Sequence, residues 1–452
     1  MMFSGPKLLA VVLCCTLSAR VGLAAEDRVS WLRANVVPLR TLDAAEPDLS
    51  DLRPLGPSFD NVEVVLLGEA TRGDGTTFEA KARLVRFLHE EKGFDVLAFE
   101  CGLFDCHRAW QAIRTGRDAR SALEGALFPL YVDAQQFQSL LDLLNRYATT
   151  DRPLEIAGID SQLGPQSIDA LIAGLTEAIA GCSSHQQMMP AESLDELWRI
   201  ARYVAAGSYT SGQEALPTRE VRRRIDQTLD RLSELLACPA GATSPSSSSP
   251  GANFWQQVLI NLRAAIELTW KLGLWDPSES MDTAIHNLRD LQMADNLLWL
   301  KRHSYFGRKI IVWSLTLHLA RDLGTLETGD RETQRRFSRF DLLGARLAAA
   351  LEPDPYVVAY TAFEGRKGSV FKLPDALLVP TRGSLEDLMA RTNLEVAFLD
   401  LQRLASLKGG AWLTRPLIAR PIAFKELRGV WPRHLDAIFY IRTLEPARRT
   451  RN

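Results

Sequence analysis

Four acidic side chains stand where short apolar runs end: Glu69 after VVLLG, Glu100 after VLAF, Asp160 after IAGI and Asp400 after VAFL. A carboxylate leaving a buried strand must be solvated, paired or used, because burying its charge unpaired is costly. Carboxylates gathered at one edge can orient or activate water, or grip the polar part of a ligand. Taken singly, each acid has an ordinary structural role open to it, and Asp160 in particular suits a helix N-cap. The first exit is the richest. LGEATRGDGTTFEAKARLVRFL places Glu69 and Arg72 three apart in a glycine-containing loop, with Lys81 on the helix that follows. An acid beside two bases holds an anionic or polar ligand, or closes on itself as a salt bridge.

The elements that must position these groups follow from hydrophobic patterning. Runs at Val62–Gly68, Asp95–Phe99, Leu154–Ile159, Lys309–Trp313, Tyr356–Ala362, Glu395–Leu399 and Ala437–Ile441 are rich in Val, Ile, Leu and Phe without strict alternation. That is the pattern of strands covered on both faces. Between them, Phe78–Lys92 and Ala134–Tyr147 repeat apolar residues at helical spacing, and Gly93 is a natural C-terminal stop. Strand–helix alternation predicts an α/β fold with a mainly parallel sheet flanked by helices. In such sheets ligands bind outside the carboxyl ends of the strands, so the four acids predict a pocket there.

The middle of the chain reads differently. Leu194–Ala206, Val221–Cys238 and Phe254–Leu274 are helical in pattern, and AGATSPSSSSPGA at 240–252 is a low-complexity loop. The expected organisation is a signal peptide over 1–24, an α/β body over 25–166, a helical insertion over 167–288 covering one side of the pocket, and the second half of the body over 289–452. The chain returns to the body through a helix at Ala284–Arg302.

Lys7, the apolar run Leu8–Leu17 and the small residues Gly22, Ala24 and Ala25 have the order of a secretory signal peptide. This predicts a secreted or periplasmic protein. No later run reaches roughly eighteen uninterrupted apolar residues, so no membrane span is expected. Lysine and arginine total 53 against 55 acids in 452 residues, a net charge of −2. Without a basic tract, nucleic acid is not an expected partner; a small molecule is. Cys101, Cys106, Cys182 and Cys238 follow the signal, permitting three pairings, of which Cys101–Cys106 with Cys182–Cys238 is preferred on proximity.

Other chemistries lack their motifs. There is no G-x-S-x-G elbow, no phosphate-binding loop and no G-x-G-x-x-G, and HEEKG at His89 lacks the second histidine of a zinc peptidase. No cofactor or metal is implied. His107 beside Cys106 is better explained as a loop histidine than as a metal or haem ligand.

The ordered motifs resemble the erythromycin esterase family. Its first motif is approximately G-E-x-x-H-G, followed by a helix with a basic residue and by G-F-x-x-x-A-x-E. Here Gly68-Glu69-Ala70-Thr71-Arg72-Gly73, Lys81 and GFDVLAFE ending at Glu100 stand in those places. AQQFQSLLDLLNRYA, GID ending at Asp160, RDLQMADNLLWL at Arg289–Leu300, KIIVWSLTLH ending at His318 and HLDAIFYIRTLEP at His434–Pro446 continue the series. The resemblance implies a hydrolase adding water to an ester or lactone, with macrolides as the family's namesake substrates and a histidine as general base.

Two family histidines are replaced. Arg72 stands at the histidine of G-E-x-x-H, and the W-A-H-N-x-H pattern reads Trp313-Ser314-Leu315-Thr316-Leu317-His318. A guanidinium is no general base near neutral pH, and losing a positioned base costs on the order of 10²–10⁴ in rate. Two readings follow. In the first, Glu69 and Glu100 orient or activate water, His318 shuttles the proton, Arg72 and Lys81 stabilise negative charge, and Asp160, Trp313 and Ser314 complete the substrate site. The substrate is then an ester or lactone of a bulky, largely apolar molecule. In the second, Arg72 closes on an acid and the scaffold is a non-catalytic ligand-binding protein.

Overall fold

The computed structural model describes residues 25–182, 189–237, 251–274, 283–369 and 373–450. The expected signal peptide, most of the Ser/Pro-rich loop and the Cys182–Cys238 pairing lie outside the described residues.

All seven expected strands form, with bounds shifted by a few residues. They are β2 Val64–Glu69, β3 Phe94–Gly102, β4 Glu155–Asp160, β5 Lys309–Leu315, β6 Tyr356–Lys367, β8 Val396–Asp400 and β11 Ala437–Leu444. Four shorter strands join them: β1 Val37–Pro38, β7 Asp375–Ala376, β9 Leu417–Ala419 and β10 Leu427–Gly429. The main sheet has nine strands in the order β1-β8-β11-β6-β2-β5-β3-β4, with β7 paired to the end of β6. From β11 to β4 every neighbour is parallel, while β8 runs antiparallel to β11. The fold is α/β with a mixed, mainly parallel sheet.

Each strand feeds two cores because successive side chains point to opposite faces. Val64, Leu66, Ile310 and Val312 pack on one side with the helices Ile168–Cys182, Arg219–Leu236, Ala252–Gly273 and Thr283–Trp299. Val65, Leu67, Ile311 and Trp313 pack on the other with Gly75–Lys92 and Gln138–Tyr147. Burial on both faces is why these strands read as continuous apolar runs. The helix Gly75–Lys92 ends at Gly93, whose φ of 74° is the left-handed conformation expected of a C-terminal stop.

Candidate active site

The neighbours β2, β5, β3 and β4 run in one direction, so their carboxyl ends open on one edge. Glu69 is the last residue of β2 and Asp160 the last of β4; Glu100 lies near the end of β3 and Ser314 near the end of β5. The short helix Thr316–Leu319 after β5 carries His318. It passes so close to β2 that a Cβ at Gly68 would stand 2.8 Å from the Thr316 Cα, which explains the glycine before Glu69.

Asp400 is the exception. Antiparallel β8 delivers it opposite Ala437, the first residue of β11, and hence to the other edge of the sheet. There it accepts from the Arg403 backbone N–H at 2.8 Å and the Ser58 hydroxyl at 2.6 Å, capping the helix Leu401–Ser406. The expectation of four acids at one edge is corrected to three.

Across that edge runs an alternating row of charges: Asp160, Arg289, Glu100, Arg72. Arg289 donates from Nε to Asp160 Oδ2 at 3.0 Å and from Nη2 to Glu100 Oε1 at 2.6 Å, and its Nη2 also bonds Asp160. Arg72 Nη2 bonds the same Glu100 oxygen, and the Arg72 guanidinium lies 4.9 Å from the Phe128 ring centroid. Ser314 Oγ donates to Glu100 Oε2 at 2.7 Å. Burial alone would push the Glu100 carboxyl up, but Arg72 and Arg289, with His318 and the Ser314 hydroxyl, overcome it and hold the group well below the usual range. Arg289 is raised in turn: burial opposes its charge, and Asp160 and Glu100 more than offset that.

His318 sits behind the row. Its Nδ1 lies 2.9 Å from both oxygens of Asp290, and Nε2 lies 3.6 Å from Glu100 Oε1 and 3.4 Å from Arg289 Nη1. Burial would lower the imidazole pKa, but Asp290 and Glu100 raise it above its ordinary value. With Asp290 as acceptor, Nδ1 carries the hydrogen and Nε2 is the nitrogen left to exchange a proton.

A second buried group lies under β2. Tyr131 donates its hydroxyl to Glu69 Oε1, and Lys81 Nζ stands 3.6 Å from Glu69 Oε2. The ammonium also lies 4.3 Å from the Trp313 ring centroid and 3.4 Å from the Ser314 carbonyl oxygen. Burial pushes Glu69 up against the pull of Lys81, and pushes Lys81 down to about 8 against the pull of Glu69. Glu69 Oε2 has no hydrogen-bond partner. Trp313 is a buried platform beneath Lys81 and among Phe78, Phe99 and Phe137.

Most of these groups are inaccessible, but the side chains of Arg72 and Arg289 keep 13% and 17% of their surface. Arg72 opens on a depression of about 390 Å³, lined also by Ala70, Thr71, Leu315, Lys367 and Leu373. Among the described residues no group of three or more His, Cys, Asp or Glu is arranged to hold a metal.

The structure thus brings together Glu69, Lys81, Glu100, Asp160, Ser314, His318 and Arg72, and adds Tyr131, Arg289 and Asp290. The signal for the last two was an adjacent Arg-Asp pair opening the apolar helical segment RDLQMADNLLWL. Nothing in the sequence around Tyr131 marks it. The expected Cys101–Cys106 disulfide is present, directly after Glu100, with both cysteines buried.

The scaffold is three-layer α/β, and its charged groups lie at the carboxyl edge of parallel strands, the edge at which open parallel sheets bind ligands. The chain belongs to the erythromycin esterase family, whose model matches residues 89–444. It is 22% identical over 454 residues to the protein named Putative hydrolase YbfO of Bacillus subtilis (strain 168), covering 98% of this chain and 97% of that one. Among solved structures, a Bacillus cereus protein superposes with a TM-score of 0.73 at 20% identity, over 95% of this chain and 100% of its own. A succinoglycan biosynthesis protein gives 0.69 at 18%, over 94% and 98%. A variant of the erythromycin esterase EreC in its open conformation gives 0.66 at 17%, over 90% and 97%. The family and the name of the relative support a hydrolase.

Proposed function

We propose that the protein hydrolyses an ester or lactone of a bulky, largely apolar molecule, with His318 as the group that moves the proton. The observation that carries this reading is the bond between His318 Nδ1 and both oxygens of Asp290, which leaves Nε2 oriented as a base. In this scheme Nε2 takes a proton from water as the water oxygen attacks the carbonyl carbon. The guanidiniums of Arg72 and Arg289 face the oxyanion that forms. Collapse expels the alkoxide, which recovers the proton from His318, leaving acid and alcohol. Glu100, held ionised between two arginines, is a poor base and serves to fix them. Glu69, with its raised pKa and an oxygen that faces Lys81 without a hydrogen bond, orients the water.

The reading includes export through residues 1–24. The buried Cys101–Cys106 disulfide fits an oxidising compartment.

A second reading has its own support: Arg72 is closed on Glu100, as a rigid, non-catalytic binding site requires. A panel of esters, lactones and macrolides incubated with the purified protein separates the two, with products read by mass spectrometry. Product from the wild type that His318→Asn abolishes and Asp290→Asn sharply slows supports the hydrolase. Binding of panel members without any product, by protein whose circular dichroism confirms its fold, favours the binding protein.

A further inference from the structure

Leu373, Leu378 and Val379 are 85%, 83% and 88% exposed. Among the described residues, six large apolar side chains are exposed, and three of them fall in this one stretch. Single exposed leucines need no explanation, but a run of them beside a pocket does.

From Asp375 to Thr381 the backbone is held at several points. β7 pairs Arg366 with Ala376 and Lys367 with Asp375, and Leu377 N–H bonds Gly365 O at 2.9 Å. Arg420, almost wholly buried, donates from Nη1 to Leu378 O at 2.6 Å while its other nitrogens hold Ala362 O and Phe363 O. The Thr381 hydroxyl is held by Glu426 at 2.6 Å. A pinned backbone that turns apolar side chains outward would be satisfied equally by polar ones, so packing among the described residues does not call for their type. Leu373 is also a wall of the depression onto which Arg72 opens. The ledge therefore meets the depression at Leu373, where an apolar rim borders the charged floor, and Leu378 and Val379 follow five and six residues on along the same segment.

We propose that the apolar part of the substrate lies along this ledge, so that Leu373, Leu378 and Val379 set a preference for esters with long apolar acyl chains. This rests on the hydrolase reading above. Leu373 meets the first carbons beyond the ester, and Leu378 and Val379 meet the more distant ones.

Hydrolysis of 4-nitrophenyl acetate, butyrate, hexanoate and octanoate, kept below micelle-forming concentrations, reads the ledge directly. In the wild type kcat/KM should climb by about tenfold or more from acetate to octanoate. Leu373→Ser and the double variant Leu378→Ser/Val379→Ser should bring the octanoate-to-acetate ratio towards one. A flat wild-type series, or variants keeping the wild-type ratio, overturns the proposal. Turnover of other panel members but of none of these esters overturns the proposal. If the wild type turns over no member of either set, the hydrolase reading fails and the ledge is tested alone, by fluorescence titration with 1-anilinonaphthalene-8-sulfonate competed by octanoate. Enhancement that octanoate displaces and Leu373→Ser abolishes supports the ledge; equal enhancement in both proteins overturns it. Gel filtration closes the remaining route. If the serine variants dissociate a wild-type dimer with the ratio unchanged, the ledge joins copies of the chain and the proposal is overturned.

Discussion

His318 and Asp290 form a pair held from both sides: Nδ1 stands 2.9 Å from each carboxylate oxygen, and Asp290 Oδ1 is itself held by the Leu343 backbone N–H at 2.9 Å. The acid cannot turn away and the imidazole cannot flip without breaking that bond. Asp290 thereby sets both the tautomer and the basicity of its partner.

The pH profile should report this pair. A base works only when neutral, so kcat/KM should rise as pH climbs through a value above the ordinary histidine pKa of about 6.5. Asp290→Asn removes the chief raising influence. The limb should move to lower pH, and the plateau should fall by on the order of 10²–10⁴. A limb that does not move would exclude His318 as the titrating base.

Arg289→Leu leaves Glu100 and Asp160 without the guanidinium they share. Breaking a buried ion pair from one side costs about 3–5 kcal/mol, to be read as a lower urea midpoint at pH 7. Glu100 is depressed in the folded protein, so its stabilisation is present above its unfolded pKa of about 4.3 and is lost as pH falls through the folded value. The gap between wild type and variant should therefore narrow below about pH 4.

Arg72→His restores an imidazole at the mouth of the depression and frees one side of Glu100. A hydrolase using the rewired site should change rate by roughly tenfold or more in either direction. A binding protein should change its affinity and still yield no product.

Asp74 tests the floor of the same loop. It is fully buried, accepts from Thr71 N–H at 3.1 Å and Gly368 N–H at 2.8 Å, and is pushed up to about 7 by burial. A carboxyl raised on folding contributes stability below its unfolded pKa of about 3.9 and loses it as pH rises through the folded value. Asp74→Asn should flatten the fall in melting temperature between about pH 4 and 7.

Cys101→Ala/Cys106→Ala should cost about 2 kcal/mol, since the bridge closes a loop of only five residues' separation. Cys101 follows Glu100 directly, so kcat should fall more than stability requires. Equal activity at a temperature where both proteins are folded would limit the bridge to stability.

The strands were legible because burial on both faces leaves a plain signal, and Glu69, Glu100 and Asp160 followed from where those runs stop. Their direction was not legible. VAFLD looks like VLAFE, yet β8 points the other way, and strand polarity depends on pairings distant in sequence. Tyr131 and Asp290 escaped for a related reason: they meet Glu69 and His318 across 62 and 28 residues. Tyr131 lies in the short helix Pro129–Asp133 and Asp290 within Thr283–Trp299, where the adjacent Arg-Asp pair was the one local mark.

The alternating row Asp160–Arg289–Glu100–Arg72 also constrains how this sequence can vary. Each interior member serves two neighbours of opposite sign, so a change at one residue hands its partner's charge to the next. Substitutions along the row should be strongly non-additive, and tolerated variants should differ at pairs of positions. The arginine at position 289 and the acid at position 160 are then one inherited character written in two codons, and a variant that loses one should have replaced the other.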